Sequence, residues 1–172
     1  MDSPGGFGLV GPPPRPTGRP GFAEIRPGLL VGEYPLPADV AWLHDAHGVT
    51  AVVSLQEDAD LACKGVSRVQ LERAYQRHGV AFTRIPVIVG DPEHLAARLD
   101  EIVTLLARLR AAGACVYLHC NAGFNRAPTA AIAYLHAHEG LSLDDARDLV
   151  KQRRHCVPYM RALELFVARR SA

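Results

Sequence analysis

Cys120 and Arg126 carry the most distinctive chemistry of this sequence, a thiol and a guanidinium separated by five residues in HCNAGFNRAPTAAIAYL, residues 119–135. The apolar run CVYLHC (115–120) before them is typical of a buried strand, and an apolar, helix-forming stretch follows. A loop that enters a helix N-terminus aims several backbone N–H groups at one point, where the helix dipole adds partial positive charge. This context predicts an anion site of the size of a phosphate.

The residue types within this loop fit nucleophilic chemistry on a phosphate ester. Arg126 offers a planar fork to two phosphate oxygens, and its fixed charge favours the thiolate, the nucleophilic form of Cys120. Gly123 permits the tight turn that such a loop needs. A cysteine at a strand end is ordinarily a core residue and an arginine at a helix start is ordinarily solvated. Their spacing and their strand–loop–helix context together favour the catalytic interpretation.

Composition restricts the remaining classes of function. The chain has 172 residues and is 48% apolar, which fits one domain with a hydrophobic core. The net charge of +1, from 19 basic and 18 acidic residues, favours neither nucleic acid nor a membrane as the main partner. We find no apolar segment of membrane-spanning length, no signal-peptide pattern and no cysteine spacing typical of zinc. We therefore expect a cytoplasmic protein without metal or cofactor.

Around the loop, the patterns predict an α/β fold. Residues 1–21 are rich in Pro and Gly, so we expect a flexible leader there and a single domain over residues 22–172. Strands are predicted twice within 22–35 and at 49–55, 80–87 and 115–120, and helices at about 38–48, 67–79, 92–113, 127–139, 142–153 and 158–169. The polar stretch before residue 67 is expected to be a turn. The alternation predicts a central, largely parallel, twisted sheet flanked by helices.

The segment VYLHCNAGFNRAPTAAIAYL (116–135) resembles the Cys-x5-Arg signature of the cysteine-dependent protein tyrosine phosphatase superfamily, in its dual-specificity branch. Within that branch it is most similar to laforin and the plant starch (glucan) phosphatases, which share the form Cys-x-Ala-Gly-x-x-Arg. VVSLQEDADL (52–61) and LVKQRRHCVP (149–158) are similar to segments of the plant enzymes. The resemblance therefore covers most of residues 22–165.

This resemblance implies a hydrolase, a two-step phosphatase that needs no metal. Cys120 is implied as the nucleophile that forms a cysteinyl phosphate, and Arg126 with the N–H groups of residues 121–126 as the groups that stabilise the equatorial oxygens. The implied substrate is a phosphorylated protein or a phosphorylated carbohydrate. The loop residues expected to bind it are Asn121, Ala122, Gly123, Phe124 and Asn125, with His119 as a buried organiser. Phe124 is placed either to stack on a tyrosine or sugar ring or to act as a hydrophobic anchor.

The general acid is the point at which this chain departs from the family. The family carries an Asp three residues past a strand-ending Pro, and the same count from Pro86 reaches Val89. Three hypotheses stay open: Asp91 serves as the acid, with Gly90 giving the backbone the freedom to deliver it; Glu93 substitutes; or the acid is missing. We favour Asp91. It is almost equally well placed to cap the following helix, and the two roles are compatible.

Two differences bear on the substrate and on activity. Asn125 stands where the plant enzymes have Gly, and Gly90 where they have an aromatic residue, which weakens a platform for sugar rings. The leading hypothesis is a phosphatase that acts on phosphotyrosine, phosphoserine, phosphothreonine or phosphorylated glucan. The alternative is a catalytically weak pseudophosphatase that binds a phospho-ligand, motivated by Val89. A third hypothesis is a rhodanese-type sulfurtransferase, whose loop also places Cys before a helix. The five residues between Cys120 and Arg126 argue against it. The sequence leaves the oligomeric state open.

Overall fold

The computed structural model describes residues 18–172, so most of the expected leader lies outside the described residues. The strands are β1 (Phe22–Arg26), β2 (Leu29–Gly32), β3 (Ala51–Ser54), β4 (Ala81–Arg84) and β5 (Val116–His119). The helices are α1 (Val40–His47), α2 (Asp58–Lys64), α3 (Arg68–Arg77), α4 (Pro92–Ala111), α5 (Arg126–Glu139), α6 (Leu143–Arg153) and α7 (Met160–Arg170), with a 3-10 turn at Pro37–Asp39. In this described part, no helix is both long enough and apolar enough to cross a membrane.

The five strands form one sheet in the order β1-β2-β5-β3-β4. β1 and β2 are antiparallel, and the other neighbours are parallel, which confirms the predicted α/β fold with a largely parallel sheet. The central strand β5 is buried throughout, as expected for an apolar run covered on both faces. Gly32 and Ser54 both pair with His119, so the segments that follow these residues meet at the carboxyl edge of the sheet. Ligand sites of parallel sheets form at this edge.

Two hydrophobic clusters cover the two faces of the sheet. One is formed with α4 to α7, and the other with α1 and α3. Because side chains alternate between faces along a strand, Leu118 packs in the first cluster and its neighbour Tyr117 in the second. Every residue of α5 from Arg126 to Leu135 is buried. Its small side chains allow close packing between α4, α6 and α7: Ala127, Ala130, Ala131 and Ala133.

One sequence prediction was wrong. The polar stretch expected to be a turn contains α2, which begins after Glu57 and ends at Gly65 in the left-handed region (φ +64°). The N–H of Glu57 donates to a carboxylate oxygen of Asp60 (2.9 Å), a side-chain cap that satisfies a free donor at the helix start. Asp58 and Asp60 also complement the dipole of the first turn. A helix of this length presents too few apolar positions for a visible period.

Candidate active site

Residues 120–126, here called the phosphate loop, connect the central strand β5 to the buried helix α5. Cys120 follows the last residue of β5 and is 3% exposed, and Arg126 is the first residue of α5 and is 2% exposed. The thiol therefore lies at the carboxyl edge of the sheet, beside a helix N-terminus. The two predicted catalytic residues, Cys120 and Arg126, therefore stand at the two ends of the loop. The predicted binding residues 121–125 lie between them.

Every carbonyl of residues 120–125 accepts a hydrogen bond from the surrounding protein. The bonds are Cys120 O from His119 Nδ1 (2.9 Å), Asn121 O from Tyr34 N (2.9 Å), Ala122 O from Arg154 Nη2 (2.8 Å), Gly123 O from Arg154 Nε (2.7 Å), Phe124 O from Val157 N (2.9 Å) and Asn125 O from Thr129 N and Oγ1 (3.1 and 2.7 Å). In a planar trans peptide the N–H points opposite to the carbonyl, and no peptide among residues 18–172 is cis. The N–H groups of residues 121–126 therefore turn inward.

These inward N–H groups are the donors of the candidate anion site, which stays a prediction. Within the described part of the chain, no N–H of residues 121–126 donates to a protein acceptor. Buried N–H groups without partners are costly and rare in proteins. Convergent backbone donors of this kind bind oxyanions, and the dipole of α5 adds to the attraction.

Gly123 holds the centre of the phosphate loop against the end of β2. Its φ is +61°, in the left-handed region, and a Cβ there would lie 2.5 Å from the carbonyl oxygen of Gly32. Only glycine combines this conformation with this close approach. The tight turn expected at this position is therefore a packing requirement as well as a conformational one.

Arg126 is fixed by hydrogen bonds from one of its nitrogens. Nη1 donates to Asp60 Oδ2 (2.7 Å), to the Val87 carbonyl (2.8 Å) and to the Leu55 carbonyl (3.4 Å). Burial alone would lower the pKa of the Arg126 guanidinium, but the negative charges of Cys120 and Asp60 outweigh it and raise that pKa. No hydrogen bond from Nε or Nη2 to a described residue is present, so these donors are left for an oxyanion.

The carboxylate of Asp60 connects both ends of the phosphate loop, a role that sequence reasoning missed. It pairs with Arg126, and its Oδ1 accepts from Asn121 Nδ2 (2.7 Å). Asn121 Oδ1 in turn accepts from Gln56 Nε2 (2.7 Å), and Gln56 is 1% exposed. Gln56 and Asp60 belong to the segment VVSLQEDADL that carries part of the family resemblance. The similarity of this segment to the plant enzymes indicated that it matters, but no local pattern predicted a role for Gln56 or Asp60.

His119 is a completely buried neighbour of the nucleophile. Its Nδ1–H donates to the carbonyl of Cys120 (2.9 Å), and burial lowers the pKa of His119 to about 4, to which the charge of Arg126 also contributes. The imidazole is therefore neutral at pH 7. The organising role expected of His119 stays a prediction, which the contact with the Cys120 carbonyl supports.

The acid loop, residues 87–91, lies between β4 and α4 and begins beside Arg126, which donates to the Val87 carbonyl. Asp91 caps α4: its Oδ1 accepts from His94 N (2.8 Å). Gly90 has φ +74°, and its N–H donates to the hydroxyl of Tyr159 (3.2 Å). Val89 is 54% exposed. The structure thus gives Asp91 a capping contact, and the preceding Gly90 lies in the left-handed region.

Two further residues singled out in the sequence are Glu93, the alternative acid, and Phe124 of the phosphate loop. Glu93 is exposed and lies 3.6 Å from Arg161, an ion pair in solvent. Phe124 is partly exposed, and its ring lies 5.6 Å from that of His155. The N–H of Val157 donates to the carbonyl of Phe124 (2.9 Å), which ties this segment to the phosphate loop.

This chain is similar to known proteins in sequence and in fold. The family model described as dual specificity phosphatase, catalytic domain, matches residues 34–165. The chain belongs to the dual-specificity phosphatase family. The resemblance drawn from the sequence is therefore confirmed.

Among its relatives is the amyloplastic phosphoglucan phosphatase DSP4 of Castanea sativa, 32% identical over 143 residues. The match covers 81% of this chain and 38% of the chestnut protein, so the chain spans well under half of that relative. Human dual specificity phosphatase 28 is 34% identical over 142 residues, which cover 82% of this chain and 77% of that protein. The crystal structure of PTPMT1 in complex with PI(5)P has a TM-score of 0.74 at 23% identity, covering 88% of this chain and 99% of the other, a similarity of fold.

Proposed function

We propose that this dual-specificity phosphatase family member hydrolyses phosphomonoesters through a cysteinyl phosphate on Cys120, without a metal ion. The observation that carries the proposal is a buried thiol in a loop whose carbonyls are all held by the surrounding protein, so that the N–H groups of residues 121–126, which donate to no described residue, turn inward with Arg126. Such donors act most strongly where charge develops on a transferring phosphoryl group. Membership of the family supports the same chemistry.

In the first step the thiolate of Cys120 attacks phosphorus, the S–P bond forms and the bond to the ester oxygen breaks. Arg126 and the loop N–H groups stabilise the equatorial oxygens. Asp91 donates the proton that the departing oxygen takes up. In the second step water attacks phosphorus, its proton passes to the Asp91 carboxylate, and the S–P bond breaks to release phosphate and restore the thiolate.

The proposed substrate is a phosphorylated protein or a phosphorylated glucan. Relatives named as a phosphoglucan phosphatase and as dual specificity protein phosphatases support one class each. A cytoplasmic location and the absence of nucleic-acid and membrane partners remain predictions; the four free cysteines of the described chain are compatible with a reducing compartment.

The experiment that tests the proposal measures phosphate release in EDTA-containing buffer from an aryl phosphate and from solubilised amylopectin. Wild-type protein is compared with Cys120→Ser, which should be inactive because it lacks the nucleophile. We expect turnover by wild type and a phosphate adduct on the Cys120 peptide after acid quench. Turnover equal to that of Cys120→Ser would refute the proposal.

A second candidate is a binding module that retains the anion site with little turnover. The exposed Val89 at the family's acid position and the capping contact of Asp91 favour it. This module would bind inorganic phosphate and protect Cys120 from alkylation, yet hydrolyse neither substrate. For an active phosphatase, phosphate release from amylopectin would indicate the glucan class of substrate.

A further inference from the structure

We propose that Arg154 is a positioning residue that orients two N–H groups of the phosphate loop toward the bound phosphate. The proposal rests on the proposed function, because it assigns Arg154 a part in the same anion site. Arg154 directly follows the last residue of α6, and its own N–H donates to the Val150 carbonyl (2.8 Å). It is partly buried.

The guanidinium of Arg154 binds two successive carbonyls of the phosphate loop. Nη2 donates to the Ala122 carbonyl (2.8 Å) and Nε to the Gly123 carbonyl (2.7 Å). The planar fork of arginine suits two acceptors at a fixed separation. A Cβ at Gly123 would lie 2.9 Å from Nη2, so the fork packs directly on the loop backbone.

Peptide geometry converts these contacts into an effect on the anion site. With its carbonyl held by Arg154, the peptide after Ala122 must point the N–H of Gly123 the other way, into the loop. The same holds for the peptide after Gly123 and the N–H of Phe124. Arg154 thereby controls two of the donors that face the phosphate.

One side chain from a distant part of the sequence holds both of these peptides, which sets them apart from the rest of the loop. The Asn121 and Phe124 carbonyls are held by backbone N–H groups of other segments. The Cys120 and Asn125 carbonyls are held by residues close in sequence, His119 and Thr129. Without Arg154, water can bind the two central carbonyls and the peptides are free to rotate.

Positioning is distinct from a simple effect of charge. Lysine at position 154 would keep the positive charge but offers a point donor, which cannot hold two carbonyls in a fixed fork. If Arg154 acts through charge alone, Arg154→Lys should behave as wild type. If it acts by positioning, Arg154→Lys should be impaired nearly as much as Arg154→Gln.

The test compares the rates at which iodoacetate and iodoacetamide alkylate Cys120, followed by mass spectrometry of the Cys120 peptide. Both reagents need the thiolate, but only the carboxylate of iodoacetate uses the anion site, so their rate ratio reports that site. We expect the ratio to fall at least about tenfold in Arg154→Gln and Arg154→Lys, the effect of losing hydrogen bonds to a charged group. Arg153→Gln, a change at the exposed neighbour, serves as the matched control and should keep the wild-type ratio.

Each outcome decides the proposal. A wild-type ratio in both Arg154 variants, or in Arg154→Lys alone, would overturn it, as would a wild-type protein that shows no preference for iodoacetate. Thermal melting checks that the variants are folded, and Arg154→Lys provides the second variant should Arg154→Gln not fold. Alkylation needs no turnover: a high wild-type ratio with phosphate protection but no hydrolysis would refute the proposed function alone.

Discussion

The phosphate loop and the acid loop meet at Arg126 but are held in different ways. In the phosphate loop every carbonyl of residues 120–125 is hydrogen-bonded, and both reactive side chains are buried. In the acid loop Ile88 and Val89 are 43% and 54% exposed. The proposed anion site therefore lies in the packed domain, whereas the proposed proton donor Asp91 follows two exposed residues. The two functions can be lost separately.

Asp91→Asn should show the largest effect and would test whether the acid loop contributes to turnover at all. Asparagine is as good a helix cap as aspartate, so the contact to His94 N is kept while the proton donor is lost. We expect kcat/KM for an alkyl phosphate to fall about 10²–10⁴-fold, and much less for an aryl phosphate, whose leaving group needs less help.

The matched control for Asp91→Asn is Glu93→Gln, at the neighbouring exposed acid. It should leave both substrates unaffected. If Glu93→Gln produced the selective loss instead, Glu93 would be the acid. If neither variant changed the alkyl activity, neither Asp91 nor Glu93 would be the proton donor, and the general acid would be absent or lie elsewhere.

Gly123→Ala should break the phosphate loop itself. Alanine combines strain at φ +61° with a collision against the Gly32 carbonyl, so the loop must shift. We expect kcat/KM to fall about 10²–10³-fold for both substrates, comparable to the loss of an oxyanion donor.

Gly140→Ala is the control that introduces the backbone strain of a positive φ without a collision of the new Cβ. Gly140 has a similar φ of +71°, but a Cβ there meets nothing within 4 Å. This control should lose about 1 kcal/mol of stability and keep its activity. Equal activity in the two alanine variants would show that close approach to β2 is not required.

Asp60→Asn should weaken the phosphate loop through Arg126. The amide removes the charge of a buried pair and cannot accept every bond that the carboxylate accepts from Arg126, Asn121 and Glu57. We expect a fall of about 10- to 100-fold in kcat/KM, together with a lower melting temperature.

Asp58→Asn is the control on the same helix, since its side chain is 85% exposed and pairs with Arg84 at the surface. It should leave kcat/KM unchanged and lower the melting temperature much less than Asp60→Asn does. Loss of stability without loss of kcat/KM in Asp60→Asn would assign Asp60 a purely structural role.

The difference between the two loops also explains which parts of the site could be predicted from the sequence. The phosphate loop was predicted because its residues are contiguous and its strand and helix have clear patterns. Asp60 and Arg126 are 66 residues apart, so their pairing has no local signal. The position of the acid could not be settled by counting, because counting from Pro86 assumes a fixed loop length. The sequence predicted two compatible roles for Asp91, a helix cap and a general acid. The cap involves only residues close in sequence, and the structure contains it. The catalytic role depends on where a bound substrate lies, which no local pattern predicts.

The smallest expected effect is a change in the free energy of unfolding with pH, caused by the buried imidazole of His119. Burial lowers the pKa of His119 in the folded protein to about 4, below the value of about 6.5 expected when unfolded. As the pH falls below 6.5 the unfolded chain binds this proton first, so stability falls between pH 6.5 and 4 and is unaffected above that range. At pH 5 the loss is about 2 kcal/mol.

Urea unfolding of wild type and His119→Asn at pH 7 and pH 5 measures this contribution. Asparagine can still donate to the Cys120 carbonyl in place of Nδ1 but does not titrate. The variant should therefore show the smaller loss of stability on acidification. An equal loss in both proteins would mean that the imidazole of His119 is not the titrating group.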